Sequence, residues 1–387
     1  MPPRGHDLDF LAALPLDDDQ LSFAPADRDE YREDYGRSGG DPDAVVHPES
    51  TDGVSRVLAA CDDRGVPVTP YAAGTGLEGG ALAVTGGVAL DTTRLDATLD
   101  VRPDDLVVEV SAGVVGADVT DAAAKHGLFF PPFPQSAAFS TVGGMVATDA
   151  SGTRTVKYGE VGDWVLGLEA VRADGTVLTT GCRARKTSSG YNLTDLLVGS
   201  EGTLAVITRV TLELAVEPRE RRAGRATFAD LDDASAAIAA VVGAGVDVAT
   251  IELLDPLTVE MVNAHAGTTL PDAPVVFLEF HGNEGIDAEV TRCREALERH
   301  GAGRVEMADE PADMDRLWDA RRAVADAITA WDADRDALAF GDVTVPIGSF
   351  PAMVRAVHEV GDDLGFDIPT FGHAGDGNVH YAILADL

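Results

Sequence analysis

A glycine loop, Gly74-Thr-Gly76-Leu-Glu-Gly79, has the GxGxxG spacing of dinucleotide-binding folds but stands where no crossover helix can follow it. A nicotinamide-binding Rossmann unit needs a strand before the glycines, a helix opening at them, and an acidic residue about 20 positions further on. The strand is present in Pro67-Val-Thr-Pro-Tyr71. After Gly80, however, the chain reads Ala81-Leu-Ala-Val-Thr-Gly86-Gly87 and enters a new strand, Val88-Ala-Leu-Asp91. A βαβ crossover takes about a dozen residues or more, and this stretch is too short to hold one. The loop therefore joins two strands directly, which excludes a nicotinamide Rossmann unit. Its bare N–H groups suit phosphate oxygens without a helix dipole, although the same glycines would also make a plain tight turn.

Further segments add to the first reading. Phe129-Phe-Pro-Pro-Phe-Pro-Gln-Ser136 leads into Ser140-Thr-Val-Gly-Gly-Met-Val-Ala-Thr-Asp-Ala-Ser-Gly152. Beyond these lie Lys157-Tyr-Gly159, Lys186-Thr-Ser-Ser-Gly-Tyr-Asn-Leu193 and Val198-Gly-Ser-Glu-Gly-Thr-Leu-Ala-Val-Ile-Thr208. Close-approach glycines, short hydroxyls and an isolated acid suit a long, polyhydroxylated, phosphate-bearing ligand laid against backbone. Lysine occurs only at Lys125, Lys157 and Lys186, and two of these three fall inside the segments.

Patterning divides the chain in three. Residues 1–40 are acidic and turn-rich and read as an N-terminal arm. Residues 41–218 alternate short β-branched runs with glycine loops, with helices expected over Thr51–Arg64 and Val115–His126. The arginine-rich stretch Arg219–Arg225 then opens a region, 219–387, of interleaved strands and amphipathic helices. That pattern predicts an α+β fold with an antiparallel sheet covered by helices on one face. Strands are expected at Ala226–Ala229, Val248–Leu254, Val275–His281 and Ala339–Pro346. Helices are expected at Asp232–Val242, Ile286–His300, Met314–Ala330 and Phe350–Leu364.

Composition narrows the partners. The 387 residues carry a formal net charge of −37, which excludes a large basic footprint for nucleic acid. A folded chain this acidic repels itself in dilute salt, so a strongly saline cytoplasm is expected. The three cysteines, Cys61, Cys182 and Cys293, are too scattered for a disulfide framework or a cysteine-held metal, and Cys61 falls on the apolar face of a helix. The first residues lack an export signature and no apolar run is long enough to span a bilayer. The expected location is the cytoplasm, with peripheral placement at the inner membrane face as the variant of that reading.

A second motif, Phe371-Gly-His373-Ala-Gly-Asp-Gly-Asn-Val-His380, carries an Asp-Gly hairpin signal. Folding it back sets His373 and His380 on two sides of one loop. There both imidazoles could meet a divalent metal, or each could simply bond a carbonyl. Two histidines fall short of the usual three protein ligands of catalytic zinc. The others, His6, His47, His126, His265, His281, His300 and His358, read as structural or exposed.

Taken together, these motifs resemble the FAD-binding domain of the vanillyl-alcohol oxidase or PCMH type. Within it, they resemble the branch of flavoprotein D-lactate dehydrogenases, glycolate oxidase flavoprotein subunits and D-2-hydroxyglutarate dehydrogenases. The resemblance runs from Val45 onward in the right order. It implies a PCMH-type domain followed by a ferredoxin-like antiparallel sheet with helices, the FAD-linked oxidase C-terminal domain. By that resemblance Gly74, Thr75, Gly76, Leu77, Gly79 and Gly80 hold the FAD pyrophosphate. Ser140, Thr141, Gly143, Gly144, Ala150, Ser151 and Gly152 line the ribityl and flavin region, and Glu201, Gly202 and Ile207 lie beside the adenine end. Many relatives attach FAD through a histidine near the pyrophosphate loop. Ala73–Gly79 has none, so non-covalent FAD is expected.

For the chemistry, the resemblance implies oxidation of a small D-2-hydroxy acid, D-lactate or glycolate, by hydride transfer to flavin. His373 and His380, with a downstream Glu, would hold a metal such as Zn or Fe, and the His after that Glu would be the base. Arg321, in Leu317-Trp-Asp-Ala-Arg321, would grip the substrate carboxylate, and Asp342 falls in a family motif without an assigned role. The expected partners are that substrate, a quinone, cytochrome or iron–sulfur electron acceptor and a second copy in a homodimer, with no membrane span. The sequence stops seven residues after His380, before the family's GEHG-type segment. This predicts a C-terminally truncated domain, and the alternative to an active enzyme is an incompetent FAD-binding remnant or one part of a split enzyme.

Overall fold

The structure, a computed structural model, describes residues 6–132, 134–308, 310–331 and 337–385. Residues 1–5 of the expected arm, Phe133, and the final Asp386-Leu387 lie outside the described residues. The chain divides into two compact units. One runs to Ser151 and resumes over Glu160–Glu217; the other comprises Gly152–Gly159 and everything from Pro218 onward.

In the first unit, a four-stranded sheet places Leu21–Ser22, Ala44–Val46, Val88–Asp91 and Val68–Tyr71 side by side in that order. Val68–Tyr71 and Val88–Asp91 are parallel, and residues 72–87 between them contain neither helix nor strand. The helix-less bend expected from the sequence is thus present. Thr51–Asp62 forms a helix because Ser50 accepts the Gly53 amide at 3.1 Å as an N-cap, while Val54, Val57, Leu58 and Cys61 line its buried face. A five-stranded antiparallel sheet, ordered Leu99–Arg102, Val107–Ser111, Val206–Glu213, Val165–Val171 and Val177–Gly181, shares its apolar cluster with that helix.

The segment before residue 40 differs from the expected arm. Leu21–Ser22 pairs with Val45 and Val46, and Leu8, Leu11 and Tyr31 are buried. These apolar residues are too widely spaced to register as a periodic element, so their role emerges only in three dimensions.

The second unit is built on a seven-stranded sheet. Its order is Val305–Ala308, Glu220–Thr227, Val275–Gly282, Thr250–Leu254, Thr370–Gly372, Asn378–Ala385 and Ala337–Thr344, antiparallel throughout. Two expectations change here. The arginine-rich stretch is an interior strand rather than a lead-in, because Ala223, Gly224 and Ala226 are buried while Arg225 pairs across the ladder with Glu306 at 2.6 Å. Helices also cover both faces rather than one. Val276, Leu278 and Phe280 pack with Leu231–Gly243, Ile286–Arg299 and Phe350–Leu364; Val275 and Phe277 pack with Pro256–Ala266 and Val324–Thr329 on the other side. Successive residues of a strand point to opposite faces, so the unbroken apolar run Val275-Val-Phe-Leu278 requires two buried faces.

Among the described residues, no helix is long and apolar enough to cross a membrane.

Candidate active site

In the first unit the glycine loop meets the other sequence-predicted cofactor segments. Thr75 Oγ1 and Ser140 Oγ are hydrogen-bonded at 3.0 Å, and Ser140 donates onward to Ser136 at 2.7 Å. Thr141 caps the helix Val142–Ala147 by accepting the Gly144 amide at 3.2 Å. A Cβ at Gly143 would stand 2.6 Å from Ala112 Cβ, so only glycine lets this helix sit so close to the strand end. Glu201 has a left-handed backbone (φ 49°) and donates its amide to Ala147 at 2.9 Å. Its carboxylate lies against the loop: a Cβ on Gly80 would be 2.5 Å from Oε2. Gly202 backs onto Pro70 in the same way, and Ile207 is buried in the adjoining sheet. Ala150 N–H donates to Met145, Ser151 is exposed, and Gly152 N–H donates to Thr155 within the second unit. Lys186–Leu193 is exposed along its whole length.

The loop's backbone groups are unevenly engaged. The carbonyls of Gly74 and Gly76 accept the amides of Tyr35 and Gly36 at 2.9 and 3.2 Å. Gly79 N–H donates to the Asp34 carboxylate at 2.9 Å. The amides of Gly74, Thr75, Gly76, Leu77 and Gly80 have no acceptor among the described residues. A run of unspent N–H groups with its carbonyls engaged elsewhere fits an anionic cofactor. Sequence reasoning missed Asp34, which lies in a turn-rich stretch with no pattern to mark it.

In the second unit the register of three strands assembles a polar cluster. Phe371 pairs with His380, and His380 with Asp342. Leu253 pairs with Gly372, so the residues one step beyond, Glu252 and His373, come together. Glu252 is fully buried and takes two partners: Arg321 Nε donates to Oε2 at 2.7 Å, and His373 Nδ1 lies 2.7 Å from Oε1. Burial alone would raise the Glu252 carboxyl, but His373 and Arg321 outweigh it and hold it below its ordinary value. An ionised carboxylate only accepts, so His373 carries its proton on Nδ1 and keeps Nε2 as its other nitrogen. Glu252 escaped the sequence reading too. Its signal was an acid inside the apolar strand Thr250-Ile-Glu-Leu-Leu254.

His380 stands edge-to-face on His373 with ring centroids 5.0 Å apart, and its Nδ1 is 3.5 Å from Asp342. Burial, reinforced by His373 and Arg321 and opposed by Asp342 and Glu252, pushes the His380 imidazole down to about 4, so the ring is neutral at pH 7. Asp342 also accepts from Asn378 Nδ2. Burial raises Asp376, in the turn between the histidines, to about 6. Arg321 is 2% exposed and stacks 5.4 Å from the Phe371 ring centroid.

His281 is buried and bonded at both nitrogens, to Glu279 at 2.7 Å and to Tyr158 at 2.9 Å, as a structural histidine should be. Among the described residues, no group of three or more His, Cys, Asp or Glu is arranged to hold a metal ion. His373 and His380 therefore fall short of a metal site on their own.

Residues 42–181 match the FAD binding domain family, and residues 217–387 match the family described as FAD linked oxidases, C-terminal domain. The expected C-terminal truncation is not supported, because that domain is present. Glycolate oxidase subunit GlcD of Bacillus subtilis is 33% identical over 349 residues, covering 89% of this chain and 74% of that protein. The D-lactate dehydrogenase [cytochrome], mitochondrial, of Arabidopsis thaliana is 34% identical, covering 89% of this chain and 60% of its own length. The probable mitochondrial D-lactate dehydrogenase of Danio rerio is 36% identical over 366 residues, covering 92% of this chain and 73% of its own length. A solved alkyldihydroxyacetonephosphate synthase aligns with TM-score 0.80 at 21% identity, over 99% of this chain and 82% of that one, which speaks to the fold alone.

Proposed function

The chain belongs to the FAD-linked oxidases, and from that premise we propose that it oxidises a small D-2-hydroxy acid, D-lactate or glycolate, to the 2-oxo acid. The observation that supports the reading best is the buried Glu252 carboxylate, which fixes a guanidinium and an imidazole in one cluster. FAD, when bound, supplies the redox chemistry by accepting the hydride from the substrate α-carbon. In this reading the amides of Gly74–Leu77 and Gly80 hold its diphosphate, and the segment carrying Gly143, Gly144 and Ala150 lines the ribityl and ring region.

The protein's own groups bind and orient the substrate. Arg321 provides the positive charge that a 2-hydroxy acid's carboxylate requires, and its pairing with Glu252 sets the plane of its guanidinium. His380, neutral at working pH, adds no second positive charge beside Arg321. His373 is locked in one tautomer by Glu252, which leaves Nε2 as the atom that receives the hydroxyl proton. No step is assigned to a metal, since the described residues supply only two imidazole ligands.

The test is turnover with an artificial electron acceptor, following the 2-oxo acid formed from D-lactate, L-lactate, glycolate and 2-hydroxyglutarate. Dye reduction with D-lactate or glycolate but not L-lactate is expected. A flavin-bearing protein that turns over none of them would instead be a non-catalytic FAD binder.

A further inference from the structure

Residues 31–40 precede the stretch matched by the FAD binding domain family, yet they are laced to its glycine loop. This segment is a small turn of its own. Glu33 bridges to Ser38, and Asp34 N–H donates to Arg37 O at 2.9 Å. Asp34 Oδ1 accepts the amides of Gly36 and Arg37 at 3.0 and 2.7 Å, and Oδ2 accepts Gly79 N–H at 2.9 Å. Asp34 is 9% exposed. The turn is anchored from behind: Tyr71 donates to Glu33 O at 3.1 Å, Tyr31 donates to Asp91 at 2.6 Å, and the two tyrosine rings meet edge-to-face at 4.7 Å. At Gly36 the approach is so close that a Cβ would fall 2.2 Å from Leu77 O.

These contacts solve a specific problem. The loop has no secondary structure, and Gly74 and Gly79 sit at φ 64° and 81°, so it has much conformational freedom to lose. A phosphate nest also needs carbonyl dipoles kept away from the anion. The turn does both: its amides take the carbonyls of Gly74 and Gly76, and its carboxylate pins the backbone at Gly79. We propose that Asp34 is a positioning residue for FAD, a latch that holds the glycine loop in its diphosphate-binding conformation from outside the stretch that matches the FAD binding domain family. The proposal rests on the reading of this loop as the FAD diphosphate site. A neutral side chain cannot replace the carboxylate, because Asn has one accepting oxygen where Asp34 uses two.

The experiment compares the full chain with its Asp34→Asn and Asp34→Ala variants. It measures FAD release on dilution by the recovery of flavin fluorescence, ADP binding to flavin-depleted protein, and melting temperature of the flavin-depleted protein. Both variants should release FAD about tenfold faster or more, and Asp34→Asn should lose ADP affinity by a similar factor while its flavin-depleted form melts with the parent. ADP reports the diphosphate end without the flavin, so its loss separates a latch on the loop from a disturbance elsewhere. Unchanged FAD release and ADP affinity with a lowered melting temperature would reduce Asp34 to a structural role. Tighter ADP binding in Asp34→Asn would make the carboxylate a competitor of the diphosphate instead. A parent chain that binds neither FAD nor ADP would overturn the reading of the loop itself.

Discussion

A carboxylate with no exposed surface has to be matched by donors, and Glu252 is matched by a guanidinium and an imidazole at 2.7 Å each. Removing one partner of a buried ion pair leaves an uncompensated charge, so Glu252→Ala should cost about 3–5 kcal/mol of stability, measurable by denaturant unfolding. Glu252→Gln keeps the volume but loses the charge. It should lower kcat/KM for the hydroxy acid by about 10–100-fold, since both Arg321 and His373 lose their orientation. An unaffected kcat/KM in Glu252→Gln would detach this carboxylate from the chemistry.

Asp376 works in the opposite direction. The folded chain holds its proton more tightly than the unfolded chain does, because burial raises the carboxyl to about 6. Stability is therefore lost as pH rises from about 4 to about 6 and stays lower above that. Asp376→Asn keeps an acceptor for the Asn378 amide and should be more stable than the parent by about 2–3 kcal/mol at pH 8, the gain vanishing near pH 4. Thermal melts across that range check it.

At the scale of elements, close packing of backbone decides where the cofactor segments sit. The helix Val142–Ala147 is held 2.6 Å, measured from a hypothetical Gly143 Cβ, off Ala112 Cβ, an atom with no freedom to move aside. Gly143→Ala should push that helix away at a cost of about 1–3 kcal/mol and weaken flavin retention, readable as faster flavin release on dilution. Much of the element pattern was legible in the sequence. Thr51–Asp62 announced itself by its cap and periodicity, and the missing helix after Gly80 by simple length. The arginine-rich strand Glu220–Thr227 was not, because its charged side chains mask the buried Ala223, Gly224 and Ala226. Both hidden members of the sites, Asp34 and Glu252, act through pairings 45 and 121 residues distant in sequence. Partners so remote leave no local spacing to read. His373 and His380 stood out because they lie seven positions apart around one Asp-Gly turn.

For the whole molecule, a net charge of −37 means like-charge repulsion across the surface in dilute salt. Surface repulsion is screened within about 10 Å at 0.1 M salt and within about 3 Å at 1 M, so the melting temperature should rise steadily with KCl concentration over that range. A flat or falling response would assign the acidity no role in stability. One unit carries the glycine loop with its unspent amides, the other the Glu252–Arg321–His373 cluster. The most direct test of the account is anaerobic titration of the purified, flavin-loaded chain with D-lactate and with glycolate, following the visible absorption of oxidised flavin. The account predicts that the absorption bleaches with at least one of them and stays unchanged with L-lactate. Flavin that remains oxidised in the presence of every 2-hydroxy acid offered, while dithionite still reduces it, would contradict it.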